Sequence, residues 1–192
     1  TFWTKEEFDR FISAFDVSEP HYTAFMVLYY TGMRIGELEA LTVADVDVAA
    51  GKITVNKTFH KIKGVDVITK PKTEKSIRDI YIPEFLVECL QAYIKRIYKA
   101  DNDTRLFSMA HSSYGKKLNN KAATAGVKRI RVHDLRHSHA SLLIELGFSA
   151  LLISERLGHE SVTTTLNIYA HLFPSKQSEV VDKLQKLYAP EK

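Results

Sequence analysis

The sequence predicts an α+β domain, mainly helical, with a small three-stranded antiparallel sheet. Apolar residues recur at helical spacing over most of the chain, and one stretch, residues 52–82, alternates instead and is rich in β-branched residues. The 192 residues suit one compact domain, and no internal repeat, low-complexity tract or linker divides them.

The elements follow in order. Thr4-Lys-Glu-Glu7 is a capping-box pattern, followed at helical spacing by Phe8, Phe11, Ile12 and Phe15. A second helix is expected from Pro20 to Thr31, where Gly32 interrupts it, and a short one from Arg34 to Leu41. Strands are expected over 52–59, 65–69 and 77–82, with Lys63-Gly64 as one turn and residues 71–75 as a hairpin tip. Helices return at 84–99, 114–125, 133–146, 149–157 and 161–170, with Gly147 and Gly158 closing two of them. Pro174 opens a last helix reaching about Leu187.

Composition narrows the class. Apolar residues make up 45% and charged residues 26%, values typical of a folded chain. No apolar run approaches the ~20 residues of a membrane-spanning helix, and no signal-peptide pattern is present, so no membrane partner is expected. The lone Cys89 excludes an internal disulfide and fits a cytoplasmic location. The chain starts at Thr1 and reads as a fragment or processed form. The net charge of +4 is unevenly spread. Residues 1–50 hold nine acids against three Lys/Arg, whereas 55–78 and 112–136 each hold seven Lys/Arg, against two acids and one acid respectively. Two basic stretches suit either a surface following a phosphate backbone or a pair of solvated lysine-rich faces.

Four local patterns could carry chemistry. In Arg34-Ile-Gly-Glu37, arginine and carboxylate share a helix face, so Glu37 could orient the guanidinium or merely form a surface ion pair. Lys72 stands in the expected hairpin tip, where a solvated lysine is common. His133-Asp-Leu-Arg136-His137 opens a helix, where anions bind well. With His139 nearby it also invites a metal reading, but Arg136 would repel a cation and further ligands are lacking, so no metal is expected. Leu157-Gly-His159 leads through Thr164-Thr165 to Tyr169, and a tyrosine alone would signify only packing.

As an ordered set, Arg34, Lys72, His133, Arg136, His159 and Tyr169 resemble the signature of the tyrosine recombinase (phage integrase) family. Arg34, Glu37 and Leu38 match its first box, Lys72-Thr73 its hairpin lysine, His133, Arg136 and His137 its His-x-x-Arg-His box, and Leu157 to Tyr169 its last. The final spacing is similar to that of integrases from Gram-positive mobile elements. The resemblance covers nearly the whole chain and identifies residues 1–192 as a catalytic domain, a C-terminal fragment without the family's usual core-binding and arm-binding domains.

The resemblance implies metal-independent and ATP-independent cleavage and rejoining of double-stranded DNA, with no cofactor and no small-molecule substrate. Tyr169 attacks phosphorus, Arg34 and Arg136 clamp the phosphate oxygens with a further donor from His159, His133 exchanges the tyrosine proton, and Lys72 protonates the leaving 5′ oxygen. The product is a 3′-phosphotyrosine. Lys57, Lys61, Lys63, Lys70 and Lys75 in one basic stretch, and Lys116, Lys117, Lys121, Lys128, Arg129 and Arg131 in the other, are the expected DNA contacts. The apolar stripe Val180, Val181, Leu184, Leu187 and Tyr188 is expected to dock helix 175–188 on another protomer. A type IB topoisomerase and a catalytically silent DNA-binding regulator on the same fold are the alternatives.

Overall fold

In the computed structural model, residues 1–71, 76–159, 161–172 and 177–188 are described. Helix α1 (Lys5–Ser13) carries the expected capping box, with Thr4 Oγ1 accepting from the Glu7 amide and Glu7 Oε2 accepting from the Thr4 amide. Its Phe8 and Phe11 pack on α2 (Pro20–Thr31), Phe8 stacking on Tyr29 at 3.7 Å and Phe11 meeting Phe25 edge-on. Nearly every side of α2 is buried, which makes it the central helix of the main core. It ends at Gly32 in the left-handed conformation (φ 66°). A Cβ there would come within 2.4 Å of Leu157 and 2.7 Å of His139, so close packing as well as backbone conformation requires glycine.

After α3 (Ile35–Ala40) and a short 3₁₀ turn at Val43–Asp45 come the strands β1 (Val46–Asp47), β2 (Lys52–Val55), β3 (Thr58–Ile62), β4 (Val65–Thr69) and β5 (Arg78–Tyr81). They form two antiparallel sheets, and the expected three-strand set is corrected accordingly. A three-stranded sheet has the order β1-β2-β5, with Ile53 opposite Ile80, while β3 and β4 form a separate hairpin. The stretch read as one strand, 52–59, breaks at Asn56-Lys57. Alternation from Ile53 and Val55 would aim Lys57 at the core; instead the chain leaves the sheet and the ammonium pairs with Asp45 of the 3₁₀ turn. The tip of the β3–β4 hairpin is the expected turn Lys63-Gly64, with φ of 48° and 83°. Residues 72–75 lie outside the described set, and the segment containing them joins strands of different sheets.

The remaining helices are α4 (Glu84–Arg96), α5 (His111–Thr124), α6 (Asp134–Glu145), α7 (Ala150–Leu157), α8 (Val162–Leu172) and α9 (Gln177–Tyr188). Helix α5 starts three residues before the expected Tyr114, because His111, Ser112 and Ser113 are weak helix formers that give no periodic signal. Helices α6, α7 and α8 gather around a second small core of Ala140, Ile144, Ile153 and Leu157. On α9, Val181, Leu184, Leu187 and Tyr188 are all exposed, so the described part of the apolar stripe is uncovered in the single chain. Pro174, the expected start of that helix, lies outside the described residues. Among the described residues no helix is long and apolar enough to cross a membrane.

Candidate active site

Arg34 caps the N-terminus of α3 immediately beyond the Gly32 turn. Glu37, 4% exposed, accepts from the Arg34 amide (2.7 Å) and from its Nη1 (2.9 Å). The carboxylate therefore both caps the helix and aims the guanidinium. Arg34 is not its only cation. Arg78, at the start of β5 and 7% exposed, forks onto the same carboxylate at 3.1 and 2.9 Å. Burial alone would raise the Glu37 carboxyl; hydrogen bonding and charge from Arg78, aided by Arg34, outweigh it and hold the group below the usual range.

Sequence reasoning counted Arg78 only as one charge in a basic stretch. In the fold it ties three segments together. Its Nε donates to the Arg156 carbonyl (2.9 Å) and its Nη1 to the Ser76 carbonyl (3.1 Å), just past the segment that bears Lys72. It also passes so close to Gly158 that a Cβ there would lie 2.9 Å from its Nη1. Gly158 closes α7 in the left-handed conformation and leads directly into His159, and its carbonyl lies 3.4 Å from Arg34 Nη2. The single signal in the sequence was an arginine on a short strand between two glycine-containing boxes, too weak to read alone.

His133 caps α6, and Arg136 lies in its first buried turn. Arg136 is 4% exposed, and its Nη1 donates to the Gly32 carbonyl at 2.8 Å. Its Nη2 is buried and has no partner among the described residues. Burial, then repulsion from Arg34, push this guanidinium down to about 9. The rings of His133 and His137 meet edge-on at 5.2 Å. Burial first lowers both imidazoles; His137 and Arg136 lower His133 further, and for His137 the pull of Asp134 only partly offsets the effect. Among the described residues no three His, Cys, Asp or Glu side chains converge as a metal site requires.

His159 places Nδ1 2.9 Å from the hydroxyl of the buried Thr165 on α8, which leaves Nε2 as the second ring position for a ligand. Burial, then Arg136 and Arg34, push His159 down to about 4, so the ring is neutral at pH 7. Arg34, His133, Arg136, His137 and His159 line one cavity of about 400 Å³. The structure thus brings together four of the six expected catalytic residues. Tyr169 falls on α8, which packs against α6 and α7, but its side chain lies outside what is described, as does all of Lys72.

The expected DNA-contacting residues divide by surroundings. Lys57 is paired with Asp45, while Lys117 and Lys121 both pair with Glu19, Lys121 also reaching the Ala14 carbonyl. These three tie elements of the fold together. Lys128 pairs with Glu7 and Arg131 with Asp134, yet both stay exposed, as do Lys61, Lys63, Lys70, Lys116 and Arg129. Lys75 lies outside the described residues.

A mainly helical domain whose glycine turns bring two arginines and three histidines around one cavity defines the catalytic domain of a tyrosine recombinase. The phage integrase family model matches residues 1–176, and the chain belongs to that family. It is 36% identical over 200 residues to the ICEBs1 integrase of Bacillus subtilis, covering 97% of this chain and 54% of that one. It is 33% identical over 174 residues to the integrase of Staphylococcus phage L54a, covering 82% and 49%. Both relatives belong to Gram-positive mobile elements, in line with the spacing of the last box. Among solved structures, the Tn1549 transposon integrase in complex with a circular-intermediate DNA superposes with a TM-score of 0.81 at 25% identity, covering 97% of this chain and 66% of that one. The chain spans about half the length of the curated relatives it matches.

Proposed function

We propose that this domain cuts one strand of double-stranded DNA with Tyr169 and rejoins it to a different strand, as the catalytic part of a site-specific integrase. One observation carries the reading. A buried arginine, Arg136, whose Nη2 has no partner among the described residues, lines a cavity together with Arg34, an arrangement of like charges that a bound anion relieves. A backbone phosphate supplies that charge, and the charge grows as its oxygens become those of a pentavalent transition state.

The roles follow from position. Arg34, aimed by Glu37, and Arg136, anchored on the Gly32 carbonyl, grip the non-bridging oxygens. A neutral His159 donates a third hydrogen bond through Nε2 when Thr165 donates to its Nδ1. His133, whose imidazole burial lowers, takes the tyrosine proton, with His137 packed edge-on against it. Lys72 protonates the departing 5′ oxygen, a task for an ammonium rather than a guanidinium of far higher pKa. The P–O bond to the 5′ oxygen breaks as the bond to Tyr169 forms. Because the ester energy is conserved in the 3′-phosphotyrosine, attack by another strand's 5′-hydroxyl reverses the step without ATP. On a nicked suicide duplex the full-length protein should form a covalent DNA adduct at undiminished rate in excess EDTA. No adduct, or one that requires added zinc or magnesium, would falsify the reading.

The second partner is another copy of the chain. The exposed stripe of Val181, Leu184, Leu187 and Tyr188 needs cover, and docking on a neighbouring protomer would make the placement of α8 and Tyr169 depend on assembly. With Cys89 first replaced, Leu184→Cys should give crosslinks between subunits on DNA. Crosslinks confined to one subunit would return this helix to its own domain.

A further inference from the structure

Glu37 answers two guanidinium groups with one carboxylate, and the two differ in where they stand. The Arg34 side chain is 41% exposed and borders the catalytic cavity, whereas the Arg78 side chain is 7% exposed and has no place in the cavity wall. Arg78 forks onto both Glu37 oxygens through Nη1 and Nη2, and its Nε and Nη1 also donate to the carbonyls of Arg156 and Ser76. This guanidinium is engaged inside the fold and is not set to grip a ligand. Among the described residues Glu37 is the one carboxylate that pairs with either arginine.

The consequence is one of charge. A carboxylate 2.9 Å from Arg34 Nη1 aims that guanidinium, but a lone Arg34–Glu37 pair would be neutral as a whole and would attract a phosphate poorly. Aim and attraction conflict unless a second cation meets the carboxylate. Arg78 is that cation. It takes both Glu37 oxygens in the forked geometry that suits a carboxylate, whereas the Arg34 guanidinium reaches only Oε1. Two guanidinium groups against one carboxylate leave a positive charge over, and it falls on the arginine that borders the cavity. The influence of the pair extends to the next arginine. Behind burial and Arg34, Glu37 draws the Arg136 guanidinium up while Arg78 pushes it down, so the two partners act there with opposite sign.

We infer that Arg78 is a positioning residue for strand cleavage: by balancing the Glu37 carboxylate inside the fold, it lets that carboxylate aim Arg34 without cancelling the charge that Arg34 brings to the phosphate. The inference rests on the DNA-cleavage reading and adds to it a residue that touches no reacting atom. It also gives the buried Arg78–Glu37 pair a purpose other than stability, which such pairs supply poorly.

The test is a charge rescue in the full-length protein, read as the single-turnover rate of adduct formation on nicked duplex beside equilibrium binding to the same DNA. Arg78→Met should slow cleavage by about 10²-fold and change affinity by no more than about threefold, since a buried side chain makes no phosphate contact. Adding Glu37→Gln to Arg78→Met should restore about tenfold or more, because the amide oxygen still accepts from Arg34 but no longer opposes its charge. A brace with a purely structural role predicts the reverse, a double variant as slow as the single one or slower. Arg78→Lys keeps the charge without the fork and should fall between wild type and Arg78→Met. Melting temperatures accompany each rate. Arg78→Met leaves a buried carboxylate short of a partner, so if it does not fold, the double variant, which has lost both charges, carries the test and should cleave within about tenfold of wild type. Wild-type cleavage by Arg78→Met overturns the inference, as does a double variant that is no faster than the single, that is folded yet about 10²-fold slow, or that fails to fold. If wild type forms its adduct while any of these holds, only this inference fails; if it forms none, the cleavage reading fails as well.

Discussion

Tyr169→Phe should abolish the covalent DNA adduct and leave equilibrium binding within about twofold of wild type, since the change removes a hydroxyl and no phosphate contact. A phenol of pKa about 10 attacks poorly at neutral pH without a base and an electrophile fixed in place. In the proposed reaction both come from one cavity: burial lowers the His133 imidazole, which favours its acting as a base, and Arg34 and Arg136 line the same space. Lys72→Ala should behave differently. It should slow cleavage of ordinary DNA but cut a 5′-phosphorothiolate at close to the wild-type rate, because sulfur leaves without protonation. Both are read from denaturing gels of labelled nicked duplex. An undiminished adduct in the phenylalanine variant would move the nucleophile to another residue.

The helical parts of the fold were legible because each carried redundant local signals. Helix α1 had a capping box as well as a phenylalanine period, and α2 had proline at its start and glycine at its end, and both appear as expected. The sheets were less legible, for a reason visible at Lys57. Strand reading assumes that alternation continues, but a lysine falling on the inward face instead turned the chain toward Asp45 and split one expected strand in two. Whether β5 pairs with β2 or with β4 is likewise a tertiary matter. It depends on Ile53 and Ile80 sharing the core, and β4 has no buried face with which to compete.

At the site, order and spacing picked out the expected catalytic residues and, through Glu37, one residue that holds them; the longer-range supports were not legible. Arg34, His133, Arg136 and His159 stand in short boxes of distinctive composition, and they line one cavity. Arg78 acts through contacts made across many residues of sequence, and Gly32 through a single backbone angle and close packing. Charge counting failed in the same way. Lys117, Lys121 and Arg78 raise the local basic density, yet all three are engaged by Glu19 or Glu37. Only coordinates separate a cation that supports the fold from one still available to a ligand.

Arg136→Met should eliminate cleavage, by about 10³-fold or more, and at the same time leave the free protein as stable as wild type or more stable. The two halves have one cause. In the unliganded domain Arg136 is a buried charge near Arg34, with one arm on the Gly32 carbonyl and the other without a partner among the described residues, and its surroundings hold it down to about 9. Replacing a poorly compensated buried charge by an apolar side chain of similar volume is commonly neutral or stabilising by about 1–4 kcal/mol. Loss of the bond to Gly32 offsets about 1 kcal/mol of that. The net expectation is a melting temperature unchanged or raised by up to about 10 °C for a domain of this size. DNA should reverse the order. If a phosphate partners that arm in wild type, as proposed, cognate duplex should raise the wild-type melting temperature by several degrees more than that of the methionine variant. Differential scanning calorimetry with and without duplex, run beside the adduct assay, reads both halves. A methionine variant that melts far below wild type without DNA would mean that Arg136 is already compensated within the fold, and the argument that its free arm awaits a phosphate would fall.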